Sequence, residues 1–249
     1  MTEEQYKFFE QFRNDYQAKI TEWNNLVPNL MDLQKEAAKK ADTPDYSFET
    51  PIVYNRALDS IMQKDVIKII VIGDNPGKDE QLLKNNKYLV GQAGKLGEGF
   101  FRNNPELEID FRKNAIILNK TPVHTAKTTQ IKYLLKNGGP GAKQLLAESQ
   151  KWLAQKTAEL CKVLGAEIWL VGYSELKPKK IFSIYREKLA EECKKNEVFD
   201  KVLVFQHFSM NRFTVDLKEF RKNNPDLSLN QAVHTLGKMH REEIFIPES

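Results

Sequence analysis

Apolar residues recur every three or four positions over residues 3–40, at Tyr6, Phe9, Phe12, Tyr16, Ile20, Trp23, Leu26 and Leu30, and this spacing predicts two packed helices. Val27-Pro28-Asn29 separates them, because the residue before proline avoids the helical region and proline tolerates a first helical turn. Residues 42–51, with turn signals at Thr43-Pro44-Asp45 and Thr50-Pro51, read as a connector, and residues 52–62 read as a return to helix. The pattern then changes. Residues 66–72 hold six β-branched positions interrupted only by Lys68, a run too continuous for a half-solvated strand and suited to the middle of a parallel sheet. Similar short runs follow at Ala115-Ile116-Ile117-Leu118, Ile168-Trp169-Leu170-Val171 and Val202-Leu203-Val204-Phe205. Between and after them, residues 94–103, 143–163, 176–194 and 215–240 carry helical spacing.

Four apolar strands with helix-containing connections predict an α/β fold: a three-layer sandwich with a mostly parallel four-stranded central sheet and extra N-terminal helices. No repeat or flexible linker divides the chain, so residues 1–249 read as a single domain, with residues 1–62 a helical elaboration and residues 63–249 the α/β core. Ligands of such sheets bind outside the carboxyl ends of the strands. That rule brings together Asp74-Asn75-Pro76, Asn119-Lys120-Thr121, Gly172-Tyr173-Ser174 and Gln206-His207-Phe208-Ser209, from strand ends far apart in sequence.

The glycines after the first strand invite a phosphate-loop reading, and spacing rejects it. Gly73-Asp74-Asn75-Pro76-Gly77-Lys78-Asp79 is one residue short of a Walker loop and has Asp79 where a magnesium-binding hydroxyl belongs. Gly91, Gly94 and Gly97 are wrongly spaced for a dinucleotide fingerprint and follow a loop. Two cysteines, Cys161 and Cys193, are too few for a four-cysteine metal or iron–sulfur site and read as structural. The net charge of +4 permits a nucleic-acid partner without requiring one, and the clusters at Lys177-Pro178-Lys179-Lys180 and Lys194-Lys195 read as solvated helix faces. No apolar run is long enough for a membrane span and the acidic, polar start is unlike a signal peptide, so the expectation is a cytoplasmic protein with no membrane partner.

Four segments resemble the uracil-DNA glycosylase superfamily, of which this chain reads as a divergent member. Gly73-Asp74-Asn75-Pro76-Gly77 is similar to the water-activating G-x-N-P-G motif, and Val90-Gly91-Gln92-Ala93-Gly94-Lys95-Leu96 to the V-G-x-A-G-x-L segment that follows it in the iron–sulfur branch. Asn119 matches the asparagine that reads the uracil edge, and His207-Phe208-Ser209-Met210-Asn211-Arg212 resembles the H-P-S motif whose following loop enters DNA. The sequence departs from the family in three ways. H-F-S stands for H-P-S, the four cluster cysteines are missing, and Leu89, with Tyr88 beside it, stands where the stacking aromatic is expected.

The resemblance implies a glycosylase that removes uracil or a related damaged base from DNA, as a monomer, with no cofactor and no metal. Such a reaction passes through an oxocarbenium-like sugar while the base leaves as an anion, so the protein must hold a water, read the base and stabilise the leaving group. Asn75 can hold water through its amide oxygen but is no general base, and Asp74 can assist. Asn119 offers a donor and an acceptor that match uracil's adjacent O4 and N3–H. His207 can donate to the oxygen that gains charge, and His124 is a competitor for that role. Pro76, Tyr88 and Leu89 are the expected pocket walls. An enzyme of this kind extrudes its target base, and Met210, Asn211, Arg212 and Phe213 form the candidate wedge. Arg212, Lys127, Lys120, Thr125, Thr128, Thr129 and the amides of Gly138-Gly139-Pro140-Gly141 are candidate phosphate contacts, and Ser209 is a further DNA-binding candidate. Two other readings stay open: a non-catalytic nucleic-acid or base-binding module that kept the fold, and a hydrolase of free nucleosides or nucleotides.

Overall fold

A computed structural model describes residues 1–245 of the chain. Its four strands are β1 (Ile69–Gly73), β2 (Ala115–Asn119), β3 (Glu167–Val171) and β4 (Val202–Phe205), all parallel, in the order β2-β1-β3-β4. In β1, β2 and β4 every residue is buried, as a strand covered on both faces requires. The first strand is shorter than the apolar run. Pairing starts only where Ile69 meets Ala115, and Val66 remains outside it, 59% exposed.

The pleat of the sheet feeds two cores. Ile70, Ile72, Ile116, Leu118, Ile168 and Leu170 point to one face, where α1 (Glu3–Leu26), α2 (Leu30–Lys40), α5 (Gly139–Leu164) and α6 (Ser183–Lys195) bury Phe9, Trp23, Leu33, Leu153 and Leu189. Ile69, Val71, Ile117, Trp169, Leu203 and Phe205 point to the other. There α3 (Gln92–Arg102), α7 (Arg212–Asn223) and α8 (Leu229–Phe245) contribute Phe100, Phe101, Phe213, Leu217 and Val233. The result is the three-layer α/β sandwich expected from the sequence, with a sheet that is wholly parallel.

The two N-terminal helices break at residues 27–29 as expected, and α1 opens with a capping box in which Thr2 and Gln5 satisfy each other's backbone amides. Their aromatic stripe packs into the main core. Phe12 and Tyr16 stack on Trp152 of α5, and the Tyr16 hydroxyl meets that of Tyr88 at 2.8 Å.

Three local expectations are corrected. Residues 52–62 hold only a 3-10 turn over Arg56–Ser60: Ile52 bridges Val123 in antiparallel fashion, and Asn55 caps the turn while donating to the Ile117 carbonyl. The helix expected from residue 176 starts at Ser183, after a turn in which Lys179 takes a positive φ. The C-terminal helical stretch is two helices. Pro225 follows the end of α7, and Ser228 with Gln231 forms a capping pair that starts α8. One further helix, α4 (Ile131–Asn137), leads into the Gly138-Gly139-Pro140-Gly141 corner. Gly141 is the packed end of that corner, where a Cβ would lie 2.7 Å from the Leu26 carbonyl oxygen, while Gly139 and Pro140 are exposed. Gly141 lets α5 approach α1 closely. Cys161 and Cys193 are buried free thiols, both raised in pKa by burial, in keeping with structural roles. Among the described residues no helix is long and apolar enough to cross a membrane.

Candidate active site

The strand order reverses between β1 and β3, and the carboxyl ends around this switch point open into a cavity of about 400 Å³. Asp74 and Asn75 reach it from the end of β1, Asn119 from the end of β2, and His207 and Ser209 from just beyond β4. Leu89, Gly91, Gln92 and Ala93 form one wall, and Lys78 and Lys127 stand exposed at its rim.

Asn75 is held by two hydroxyls whose own bonds fix which end of the amide is which. The Thr125 hydroxyl donates to the Lys127 carbonyl at 3.0 Å and accepts from Asn75 Nδ2 at 2.8 Å. The Thr128 hydroxyl donates to Asn75 Oδ1 at 2.9 Å. Oδ1 therefore keeps one of its two lone pairs for a further donor such as water. These threonines, expected to touch phosphate, instead position the amide.

Asn119 is 2% exposed, and its Nδ2 is buried with no hydrogen-bond partner among the described residues. A buried amide donor without a partner is uncommon and costs roughly 1–3 kcal/mol. Asn119 itself belongs to the cavity lining. Gly73 makes room for it, since a Cβ there would collide with Asn119 Oδ1.

Ser209 settles the tautomer of His207. The Ser209 backbone amide donates to His207 Nδ1 at 3.1 Å, and its hydroxyl lies 2.7 Å from the same nitrogen. An Nδ1 that accepts an amide hydrogen bond carries no proton, so the neutral ring bears its hydrogen on Nε2. Burial lowers the His207 pKa; the Asp74 carboxylate opposes the shift, and the Lys120 and Arg212 cations add to it. The Ser209 side chain is thus engaged with the histidine rather than turned to DNA. Phe208 does not loosen the motif: it is 2% exposed and packs against Phe111 and Phe213, anchoring the loop in the second core.

Under the cavity lies a buried ion pair. Lys120 is 0% exposed, and its Nζ donates to Asp74 Oδ1 at 2.6 Å, to the Val171 carbonyl at 2.7 Å and to the Gly73 carbonyl at 3.4 Å. All three ammonium donors are occupied, so Lys120 has none left for phosphate and that role is withdrawn. Burial lowers its pKa and the Asp74 charge opposes the shift. Gly172 takes a positive φ of 86° beside the pair, where a Cβ would come within 2.7 Å of Asp74 Oδ1.

Other expected site residues lie elsewhere. Tyr88 is fully buried behind the wall, its hydroxyl donating to the Val53 carbonyl at 2.6 Å. Pro76 is buried beneath the loop, and its carbonyl accepts from His124 Nδ1 at 2.9 Å. His124 also meets the Tyr46 hydroxyl at 3.0 Å, and burial pushes its pKa down to about 4, so it is a neutral brace and no competitor of His207. Phe213 belongs to the core, whereas Met210, Asn211 and Arg212 are exposed on the loop after Ser209, with Met210 and Asn211 both left-handed. Leu89 is in the wall as expected, on a left-handed backbone with φ of 51°.

Glu80 is the lining residue that sequence reasoning undervalued. It is buried, and its carboxylate accepts from the Gly77 amide at 3.0 Å and the Leu89 amide at 2.8 Å, closing the ends of the loop upon each other. Burial raises its pKa to about 7, against the opposing pull of those two amides. Nothing in Lys78-Asp79-Glu80 marks the third residue as buried, because a charged triplet reads as solvated loop.

Comparison with protein-family models, with curated proteins and with solved structures finds no match to this chain.

Proposed function

We propose that the chain is a monofunctional DNA glycosylase that hydrolyses the N-glycosidic bond of uracil, or of a related damaged base, in DNA. One observation supports the reading above others. Asn75, Asn119 and His207, reaching it from three strand ends, line one cavity, and the Asn119 amide nitrogen is buried there without a partner. A water holder, a base-edge reader and a hydrogen-bond donor for a leaving anion are the groups this hydrolysis needs.

In this scheme the extruded base sits against Leu89 and presents its edge to the Asn119 amide. The C1′–N1 bond breaks with its electron pair passing to the base, and His207 Nε2–H donates to the base oxygen that gains charge. A water held by Asn75 Oδ1 adds to the oxocarbenium-like C1′, and the proton it sheds neutralises the departing base by way of solvent. No strong base is required, because the electrophile is already cationic when water adds. The buried Lys120 ammonium favours the anion electrostatically, while Asp74 balances that charge so the site can exist before substrate arrives.

The test is release of free base from uracil-containing single-stranded, U:G and U:A oligonucleotides by the full chain at low salt. Base release in at least one context, lowered far more than DNA affinity by Asn75→Ala and by His207→Ala, is expected. Background levels in all three overturn the catalytic reading. Leu89 and Phe208, which depart from the family's pattern, motivate a second reading, a nucleic-acid or base-binding module that kept the fold without catalysis. Salt-dependent DNA affinity without release supports that alternative.

A further inference from the structure

A second concavity, about 420 Å³, lies between α3 and α7 on the far side of the loop that carries Met210. Two elements contribute to both concavities. Gly91 and Gln92 line the cavity and Lys95, one turn on in α3, lines the groove; Ser209 lines the cavity and Asn211 the groove. Met210 lies between Ser209 and Asn211 in the chain, 71% exposed on a left-handed backbone.

The groove's chemistry is one-sided. Lys95 and Lys218 face it from the two helices, Asn103, Asn211 and Thr214 add neutral hydrogen-bonding groups, and no carboxylate lines it. Both lysines are exposed, and neither forms an ion pair among the described residues. Paired cations from two elements in a carboxylate-free channel are the pattern that tracks a polyanion backbone.

We infer that this groove binds the phosphodiester backbone of the strand next to the nucleotide held in the cavity, with Met210 at the divide. The inference rests on the glycosylase proposal for what enters the cavity, and its own content is the path of the strand. Lys95 and Lys218 bind phosphates on one side of Met210, while Lys78 and Lys127 at the cavity rim serve the other.

The experiment compares the full chain with the Lys95→Glu/Lys218→Glu variant for affinity to a uracil-free single-stranded oligonucleotide across a salt series. Lys64→Glu/Lys113→Glu, just ahead of β1 and β2 at the opposite end of the sheet, is the charge-matched control, and Lys95→Gln/Lys218→Gln separates lost contact from added repulsion. Loss of two phosphate contacts lowers the magnitude of the slope of log affinity against log salt by about 1.4, at about 0.7 per contact for single strands. The glutamine pair should show that reduction and the control pair should not. An unchanged slope, an equal change in the control, or no salt-dependent binding by the parent chain overturns the groove assignment. Base release by the parent chain, measured separately, decides the glycosylase reading. Release with an unchanged slope removes the groove alone, and a lowered slope without release removes the catalytic reading and leaves the strand path.

Discussion

The backbone amide of Ser209 donates to Nδ1 of His207 at 3.1 Å, which leaves the imidazole's hydrogen on Nε2 while the ring is neutral. Protonating Nδ1 would set two hydrogens against each other, so this contact and burial both hold the ring uncharged. His207→Ala should therefore lower single-turnover base release by about 10²–10³-fold, the range for removing a donor to a developing oxyanion. His207→Gln should recover part of it. Melting temperatures within a few degrees of the parent would show that the loss is chemical.

The Asp74–Lys120 pair carries a stability prediction with a clear sign. Asp74→Ala strands a fully buried ammonium and should cost about 3–5 kcal/mol in denaturant unfolding. The double variant Asp74→Asn/Lys120→Met removes both charges and should be the more stable of the two. If the single variant is as stable as the parent, the pair is not the constraint its geometry indicates.

Gly73 should prove sensitive for reasons unrelated to backbone freedom. In Gly73→Ala the new methyl collides with Asn119 Oδ1, so the amide must shift from its place. We expect base selectivity and release to collapse at a modest cost in stability. Gly77→Ala serves as the comparison, because nothing lies within 4 Å of a Cβ there.

Glu80 and His124 act oppositely on stability over nearly the same pH interval. His124, pushed down to about 4 by burial, stays neutral in the folded chain while the unfolded one takes up a proton, so its contribution is lost as pH falls below about 6.5. Glu80, pushed up to about 7, is protonated when folded and ionised when unfolded, so its contribution is present below about 4.5 and lost as pH rises to about 7. The two largely offset between those limits. In Glu80→Gln the opposing slope disappears. The parent's stability relative to this variant should fall by about 1.4 kcal/mol per pH unit from 4.5 to 7, measured by urea unfolding. A difference that does not vary with pH removes the titration from Glu80.

Much of the fold was legible because its elements announce themselves by period. The apolar runs at residues 69–72, 115–118, 168–171 and 202–205 are covered on both faces, and continuous apolar strands are what such burial requires. Residues 52–62 misled because Ile52 and Val53 are buried by pairing with the chain near Val123, a long-range contact that local spacing does not encode. Asn75, Asn119 and His207 were found by position, as polar residues just past strand ends. Glu80 was not, since its burial depends on the loop closing over it, and Tyr88 was misassigned because adjacency to Leu89 says nothing about which way a side chain turns. Thr125 and Thr128 looked like surface hydroxyls until their partners were known.

The Tyr16–Tyr88 contact places a demand on how the chain is made. The helix α1 carries an aromatic face whose partners, Tyr54, Tyr88 and Trp152, all follow it in the chain. Until α5 emerges, Phe9, Phe12, Tyr16 and Trp23 have no interior to enter, so a nascent chain shows a sticky stripe through most of its elongation. A helix made before its partners is among the last to complete its packing, and a chain lacking it would leave the same stripe's imprint open on α5.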